Sequence, residues 1–302
     1  MVGSPLDELT IIIPTLNERE GIGPTIDEAL SIGIRPDRII VVDGGSTDGT
    51  VDEAAKRGVL VVRQSNRREG KAGAVRDGLK YTKTKYVAIM DGDHTYDPRD
   101  LLKLVEEAVN NDRDEVIGVR DLSVEPPIYR LGNRVLTRFF DIVFGVRLRD
   151  VLSGMYLVKT QSLRDAMFEM QGFSVESEIA AHIASTGGSI GEVPVAFRPR
   201  LGRKKLGVRH GIKIAIDMVR LSWRYNPVTT LFLAGSLLMV PGLVMGLWTA
   251  YEYFVLHIDH FVKAIMALIL TSTGFNSLLL GILSIYLRRM EYRLRAYLKG
   301  RE

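Results

Sequence analysis

Cysteine is absent from the 302 residues. That excludes disulfide bridges, thiolate-bound zinc and thiol nucleophiles in one step, and it says little about compartment. Histidine is scarce, with five in all. Two of these form His257-Ile258-Asp259-His260, which resembles a metal pair only superficially and reads as polar interface chemistry on a short loop. No stretch is strongly low in complexity, and 46% hydrophobic with 25% charged residues fits a core of ordinary size plus something extra. Neither sign of charge dominates, the formal balance being +4, and nucleic acid is not expected among the partners. Met1 to Thr10 has no basic start and no long apolar core, so a cleavable signal peptide is not expected. The amino-terminal domain is therefore expected to stay in the cytoplasm.

What is present is unevenly spread. The first two hundred residues read as a soluble domain, whereas two long apolar stretches follow Pro227. Basic residues crowd between Arg198 and Arg224 and again after Arg288, which suggests an anionic surface nearby; solvated faces would look the same. The chain is organised around Tyr86-Val87-Ala88-Ile89-Met90-Asp91-Gly92-Asp93-His94-Thr95-Tyr96. An apolar run that stops at two carboxylates places Asp91 and Asp93 at the carboxyl edge of a sheet, projecting to the same side. Open α/β sheets bind their ligands at that edge. Two hard oxygen donors suit a divalent ion, Mg2+ or Mn2+, that keeps open positions for phosphate oxygens. Alone, two nearby aspartates are more often a solvated turn.

The flanking sequence supplies context. Leu9 to Pro14 predicts a buried strand and Glu20 to Ser31 a helix; Arg38 to Asp43 predicts a second strand, Val59 to Val62 a third, and Gly70 to Tyr81 a helix with Lys71 near its start. Alternating strands and helices imply a mostly parallel sheet. Asn17, Glu18, Asp43, Asp48, Asp91 and Asp93 each fall just after a strand. Asp48 reads better as a helix cap, whereas Asp43 closes a Val-Val strand before a glycine pair and can accept from a ribose hydroxyl or a base. Arg67, Arg68 and Lys71 can neutralise a diphosphate, although Arg67 and Arg68 are as well read as solvated.

Ile13-Pro14-Thr15-Leu16-Asn17-Glu18, Val42-Asp43-Gly44-Gly45-Ser46-Thr47-Asp48-Gly49-Thr50, Gly70-Lys71-Ala72-Gly73-Ala74 and Met90-Asp91-Gly92-Asp93 occur in that order over about eighty residues. In order and spacing they resemble glycosyltransferase family 2 enzymes of the GT-A fold. The resemblance implies an α/β domain in which Glu18 and Asp43 lie near base and ribose, Asp91 near the nucleotide, and Asp93 on the metal. It extends the nucleotide-sugar site to Pro14, Leu16, Asn17, Lys71 and Gly92, and makes Asp91 and Asp93 both catalytic and metal-bearing.

Beyond the metal motif, Arg99 to Asn110 predicts a packing helix, Glu115 to Arg120 a strand ending in arginine, and Tyr129 onward a helix that opens with Arg130 and Arg134. Arginine at a helix start opposes the dipole. A bound phosphate would resolve the conflict, and side chains pointing into water would do so equally. Ser153 to Val158 and Glu192 to Arg198 predict further strands, with a helix beginning in Gly172-Phe173-Ser174-Val175-Glu176-Ser177-Glu178-Ile179. This half is similar to the branch of the family that loads sugars onto polyprenyl or dolichyl monophosphate. By that similarity Arg120, Arg130 and Arg134 hold the acceptor phosphate, with Arg120 catalytic; Glu178 matches a Gly-Phe-x-x-x-x-Glu pattern, and Arg200 with Lys205 matches a basic loop at the donor. Lys204 and Thr95 depart from the serine and glutamine of the mannose synthases, which leaves the donor sugar open among GDP-mannose, UDP-glucose and UDP-N-acetylglucosamine.

Residues 1–206 are thus expected to form the GT-A domain, 207–225 an amphipathic interface helix, 226–288 two transmembrane helices (about 227–251 and 261–287), and 289–302 a basic cytoplasmic tail. Arg209, Lys213, Arg220 and Arg224 share one narrow sector of the interface helix, for which packing on the soluble domain is the rival reading. Poor Lys and Arg content around His257, against Arg288, Arg289, Arg293, Arg295, Lys299 and Arg301 in the tail, places both basic flanks inside. The expectation is a multi-pass membrane enzyme that transfers a hexose to a lipid phosphate with inversion. A homo-oligomer is left open. A processive synthase is disfavoured because Trp223-Arg224 lacks the preceding glutamine and reverses the order of a Gln-x-x-Arg-Trp segment. A non-enzymatic membrane subunit is disfavoured by the intact carboxylates and arginines.

Overall fold

The computed structural model describes residues 5–65, 69–166, 175–202 and 208–299. Two compact units divide the chain, Met1–Leu221 and Ser222–Glu302.

In the first unit the strands are Leu9–Thr15 (β1), Ile39–Asp43 (β2), Leu60–Arg63 (β3), Tyr86–Ile89 (β4), Glu115–Arg120 (β5), Tyr156–Lys159 (β6) and Ile190–Val195 (β7). They form one sheet in the order β3-β2-β1-β4-β6-β5-β7. The apolar runs of β1, β2 and β4 sit in its middle, covered on both faces, which is why they carry no polar alternation. Ile11 and Ile13 join one core cluster with Ile22 and Ile26 of helix Arg19–Ser31 (α1) and Leu104 of Leu101–Asn110 (α4). Ile12 faces the opposite cluster, with Val75 of Gly70–Leu79 (α3) and Ile179 of Val175–Ser185 (α7). Each such fully buried isoleucine contributes about 2 kcal/mol. The remaining helices of this unit are Thr50–Ala55 (α2), Pro127–Phe144 (α5), Thr160–Asp165 (α6) and Val208–Tyr225 (α8), the last reaching past the division.

The mostly parallel sheet is found, with one exception. β6 pairs antiparallel with both β4 and β5, while β1, β2, β3 and β4 run parallel to one another and β5 parallel to β7. The expected strand to Arg198 stops at Val195. β7 is an edge strand, which tolerates Pro194, and the chain then turns so that Phe197 bridges Tyr96.

The second unit holds two long apolar helices, Pro227–Phe254 (α9) and Phe261–Lys299 (α10). Mean hydropathy reaches 2.0 within α9 and 1.8 within Phe261–Leu287. Small residues let the two backbones approach closely. A Cβ on Gly274 would lie 2.5 Å from the Met239 nitrogen, and one on Gly242 2.7 Å from the Thr271 nitrogen. Lys263 and Glu252 pair at 3.0 Å, tying the two helices together beside their connection, and the Trp248 indole, one turn back on α9, also donates to Glu252 at 3.0 Å.

Candidate active site

The site lies where β1, β2 and β4 end. Thr15 closes β1 and is followed by exposed Leu16 and Asn17. Asn17 takes up φ +54, a conformation asparagine tolerates, and its carboxamide oxygen accepts from the Thr47 amide at 2.9 Å. The Glu18 amide donates to Thr50 Oγ1 at 2.8 Å, and Asp48 accepts from the Thr50 and Arg19 amides. Asp48 thus ties the first loop to the second and satisfies the first amide of α2, whose N-cap is Gly49. Asp43, last in β2 and buried, accepts from the amides of Gly45 (2.9 Å) and Ser46 (3.0 Å). Gly45 at φ +102 makes that turn possible. Asp43 thus shapes its own loop, and a carboxylate has further lone pairs for a ligand.

Beyond β4 the two aspartates part company. Asp91 accepts from Lys71 Nζ at 2.7 Å, and the same ammonium donates to Glu176 Oε1 at 2.6 Å. Burial opposes the Lys71 charge, but Asp91 and Glu176 outweigh it and hold its pKa well above the ordinary lysine value. Glu176 itself is raised, by burial first and by Asp91 against the pull of Lys71. Lys71, expected at a diphosphate, is thus committed to two carboxylates. Asp91 Oδ2 rests over Gly154, where a Cβ would lie only 2.0 Å away.

Asp93 is buried and turned toward other partners. Its Oδ1 accepts from the Thr95 amide (3.1 Å) and hydroxyl (2.6 Å), and its Oδ2 lies 3.1 Å from Arg200 Nη1. Arg200 Nη2 pairs with Glu18 Oε1. Burial, then the Asp91 charge, raise the Asp93 pKa, with Thr95 and Arg200 opposing. Glu18, Asp93 and Arg200 are thereby brought together, as are Lys71 and Asp91.

Arg120 at the end of β5 forms a two-pronged pair with Asp150, Nε to Oδ2 at 2.7 Å and Nη2 to Oδ1 at 2.8 Å, and lies over the Phe197 ring. Nη1 meets no hydrogen-bond acceptor among the described residues. The pKa of Arg120 is raised against burial, by Tyr96 and Asp150 and more weakly by Asp91. Asn133 of α5 donates to Asp150 at 3.1 Å, so the arginine strand end and the opening of α5 share one carboxylate. Arg130 and Arg134, on either side of Asn133 in sequence, are exposed. Pro14, near the end of β1, and Gly92, between the two aspartates, lie at the same sheet edge, while Lys205, Lys204, Arg67, Arg68 and Gly172 to Ser174 lie outside the described residues.

Sequence reasoning missed Glu176 and Asp150. Glu178, which it singled out, is fully buried in α7, two residues from the carboxylate that holds Lys71. It also missed the cluster in which Arg198 bonds Glu28 and Asp97, and His94 at φ +63 lies 3.2 Å from the same guanidinium. The one signal for Asp150 is its acidic charge after Arg147-Leu148-Arg149.

A mostly parallel sheet with acidic side chains at its carboxyl edge and one reversed strand defines a GT-A-like α/β domain. The sequence fits that class: the profile of glycosyl transferase family 2 matches residues 10–165, and the chain belongs to that family of glycosyltransferases. It is 32% identical to the glycosyltransferase AglJ of Haloferax volcanii over 92% of this chain and 93% of that one. The dodecaprenyl-phosphate galacturonate synthase of Rhizobium johnstonii is 25% identical, over 95% of this chain and 89% of its own. The dolichyl-phosphate hexose transferase of Haloferax volcanii is 28% identical, over 66% and 87%. These relatives support placement in the polyprenyl-phosphate sugar transferase branch. Among solved structures, glucosyl-3-phosphoglycerate synthase from Mycobacterium tuberculosis, crystallised with Mn2+, UDP-glucose and phosphoglyceric acid, shares the fold. Its TM-score is 0.61 at 23% identity, covering 71% of this chain and 79% of that one.

Proposed function

We propose that this glycosyltransferase moves a hexose, with inversion, from a nucleoside-diphosphate sugar to dolichyl or polyprenyl monophosphate at the cytoplasmic face of a membrane. The observation that carries the reading is a set of arginines gathered beyond the sheet's carboxylates: Arg120, at the end of β5, is clasped by Asp150, and Asp150 accepts from Asn133 of α5, which lies in sequence between exposed Arg130 and Arg134. Two anions can then meet in one basin. Donor and acceptor phosphates repel, so cations must flank their approach. Relatives whose names specify dolichyl and dodecaprenyl phosphate support the lipid acceptor.

On the donor side, Pro14, Leu16, Asn17, Glu18, Asp43 and Gly92 receive base and ribose, and Arg200 with Lys205 receives the diphosphate. Lys71 acts by fixing Asp91. Among the described residues no group of three or more metal-type ligands converges. Asp91 and Asp93 nonetheless fit a hard divalent ion completed by diphosphate oxygens. Asp93 Oδ2 already faces a cation, and bare Gly154 leaves a cradle for the Asp91 carboxylate. The chemistry that Mg2+ or Mn2+ supplies at such a pair is charge stabilisation of the departing diphosphate. Arg120 through Nη1, Arg130 and Arg134 hold the lipid phosphate in line with the anomeric carbon. A phosphate oxygen forms the new bond to that carbon as the bond to the diphosphate breaks. With a second pKa of about 6, the phosphate is largely ionised at neutral pH and needs no general base.

Helices α9 and α10 are each long enough to cross a bilayer and form the membrane domain of this reading. α8 presents Ile212, Ile216, Val219 and Trp223, each at least half exposed, beside exposed Lys213 and Arg220, a pattern suited to the headgroup layer. The amino-terminal domain and the basic tail then share the cytoplasmic side.

The test incubates membranes containing the protein with dolichyl phosphate, Mg2+ or Mn2+, and labelled GDP-mannose, UDP-glucose or UDP-N-acetylglucosamine in turn. Label is expected in the organic phase with one donor and is lost on chelation. Asp93→Asn lowers this turnover by roughly a hundredfold or more. Label appearing only in water-soluble product, or Asp93→Asn retaining full turnover, would overturn the assignment.

A further inference from the structure

After β7 the chain doubles back along the loop that carries the metal motif. The Tyr96–Phe197 bridge comes first, then the Arg198 amide donates to the Thr95 carbonyl at 2.7 Å and the Leu201 amide to the Asp93 carbonyl at 3.2 Å. Ion pairs from Arg198 to Glu28 and Asp97 clamp the start of this strap. Its register leaves Arg200 one place to go. The guanidinium is wedged between Asp93 and Glu18, and all three side chains are largely buried, at 19%, 10% and 12% exposure for Arg200, Asp93 and Glu18.

This arrangement accounts for both oxygens of Asp93. Oδ1 is taken by two donors of Thr95, and Oδ2 by Arg200 Nη1. A divalent ion therefore has to use Oδ2, at about 2.1 Å if it is magnesium. A guanidinium 3.1 Å from the same oxygen would then face a doubly charged neighbour in a poorly solvated pocket, where like charges repel strongly.

We propose that Arg200 is a built-in counter-ion of Asp93, and that divalent metal and guanidinium exclude each other there, so that metal loading releases Nη1 from the strap's contact with the motif. The proposal rests on Asp93 being a metal ligand. Glu18 keeps its hold on Nη2, so the released group remains at the sheet edge and becomes available to a diphosphate only once metal is in place. Arg200 is then a positioning residue that couples metal arrival to donor capture. Linkage makes the exclusion reciprocal: whatever the metal takes from the ion pair, the ion pair takes from metal affinity.

The measurement is Mn2+ binding to the full chain in detergent micelles without nucleotide, followed by loss of the free-ion electron paramagnetic resonance signal. Arg200→Gln is expected to bind Mn2+ more tightly than the unaltered protein, by about tenfold, an ordinary coupling factor, with Arg200→Lys in between. A residue that only helped to build the metal site would give the opposite sign, and equal or weaker binding by Arg200→Gln overturns the proposal. A second measurement needs no variant. Phenylglyoxal labelling read by mass spectrometry should rise several-fold at Arg200 on Mn2+ addition while Arg198 stays constant; unchanged or reduced labelling under saturating Mn2+ also overturns it. Absence of Mn2+ binding in every form, or binding that survives Asp93→Asn, would instead remove the metal reading of Asp93 on which the proposal stands.

Discussion

The carboxylate edge of the sheet and the opening of α5 handle charge in opposite ways. At the sheet edge the cations are answered internally: Lys71 lies between Asp91 and Glu176, and Arg200 between Asp93 and Glu18. On α5, which begins at Pro127 rather than near Tyr129, Arg130 closes the first turn, where the dipole adds to its positive field, and Arg134 lies a turn further along; both are exposed. In the proposed reading, this edge, where four carboxylates share two cations, is suited to a divalent ion that arrives before the donor diphosphate. On the same reading, an acceptor phosphate with no metal of its own is drawn in by the cations left exposed on α5. The two regions would then differ as the two proposed anions do, one met by a metal ion and one by arginines alone.

The interior pairing can be broken outright. Lys71→Met leaves buried Glu176 beside partly exposed Asp91 without their shared cation, and the expected loss is about 3 kcal/mol of stability, read as a lowered thermal midpoint in detergent. An unchanged midpoint would mean that the pairing is incidental.

Glu115 sharpens the comparison, because it is a fully buried carboxyl whose Oε2 has no hydrogen-bond partner among the described residues and whose pKa burial pushes up to about 8. Between its ordinary value near 4.5 and about 8 the folded protein binds the proton and the unfolded chain does not, so this group removes stability as pH rises through that window. From about pH 6 to about pH 8 the loss is on the order of 2 kcal/mol, and Glu115→Gln should flatten that part of the stability profile. Identical slopes for the two proteins would place the titration elsewhere.

The smallest effect concerns the exposed side. Arg134→Ala is expected to raise KM for the lipid phosphate about tenfold while KM for the nucleotide sugar stays put. A matching rise in both would show that the arginine serves the whole basin rather than the acceptor.

How far the sequence could be read follows the range of the interactions. Asp43, Asp91 and Asp93 were legible because each ends an apolar run, and strand ends collect at one sheet edge whatever the pairing order. The roles of Glu176 and Asp150 depend on contacts across 105 and 30 residues, and no local pattern announces them. Glu176 and Glu178 are two positions apart, hence about 200° apart around a helix, and only the placement of α7 decides which one meets Lys71. The reversal of β6 was equally hidden: its Tyr-Leu-Val core is as apolar as the parallel strands, and direction leaves no mark on composition. The end of β7 was misjudged because Ala196-Phe197-Arg198 is extended and strand-like, but its hydrogen bonds go to the metal-motif loop instead of the sheet.

Gly154 has a use outside this molecule. Because Asp91 Oδ2 occupies the volume that any Cβ at position 154 would claim, even alanine there would evict the first carboxylate of the motif while leaving both aspartates in the sequence. If Asp91 has the role proposed for it, a homologous chain that keeps its aspartates but carries a side chain at this position is one to sort among silent copies when genomes are surveyed, a distinction that inspection of the aspartates alone would miss.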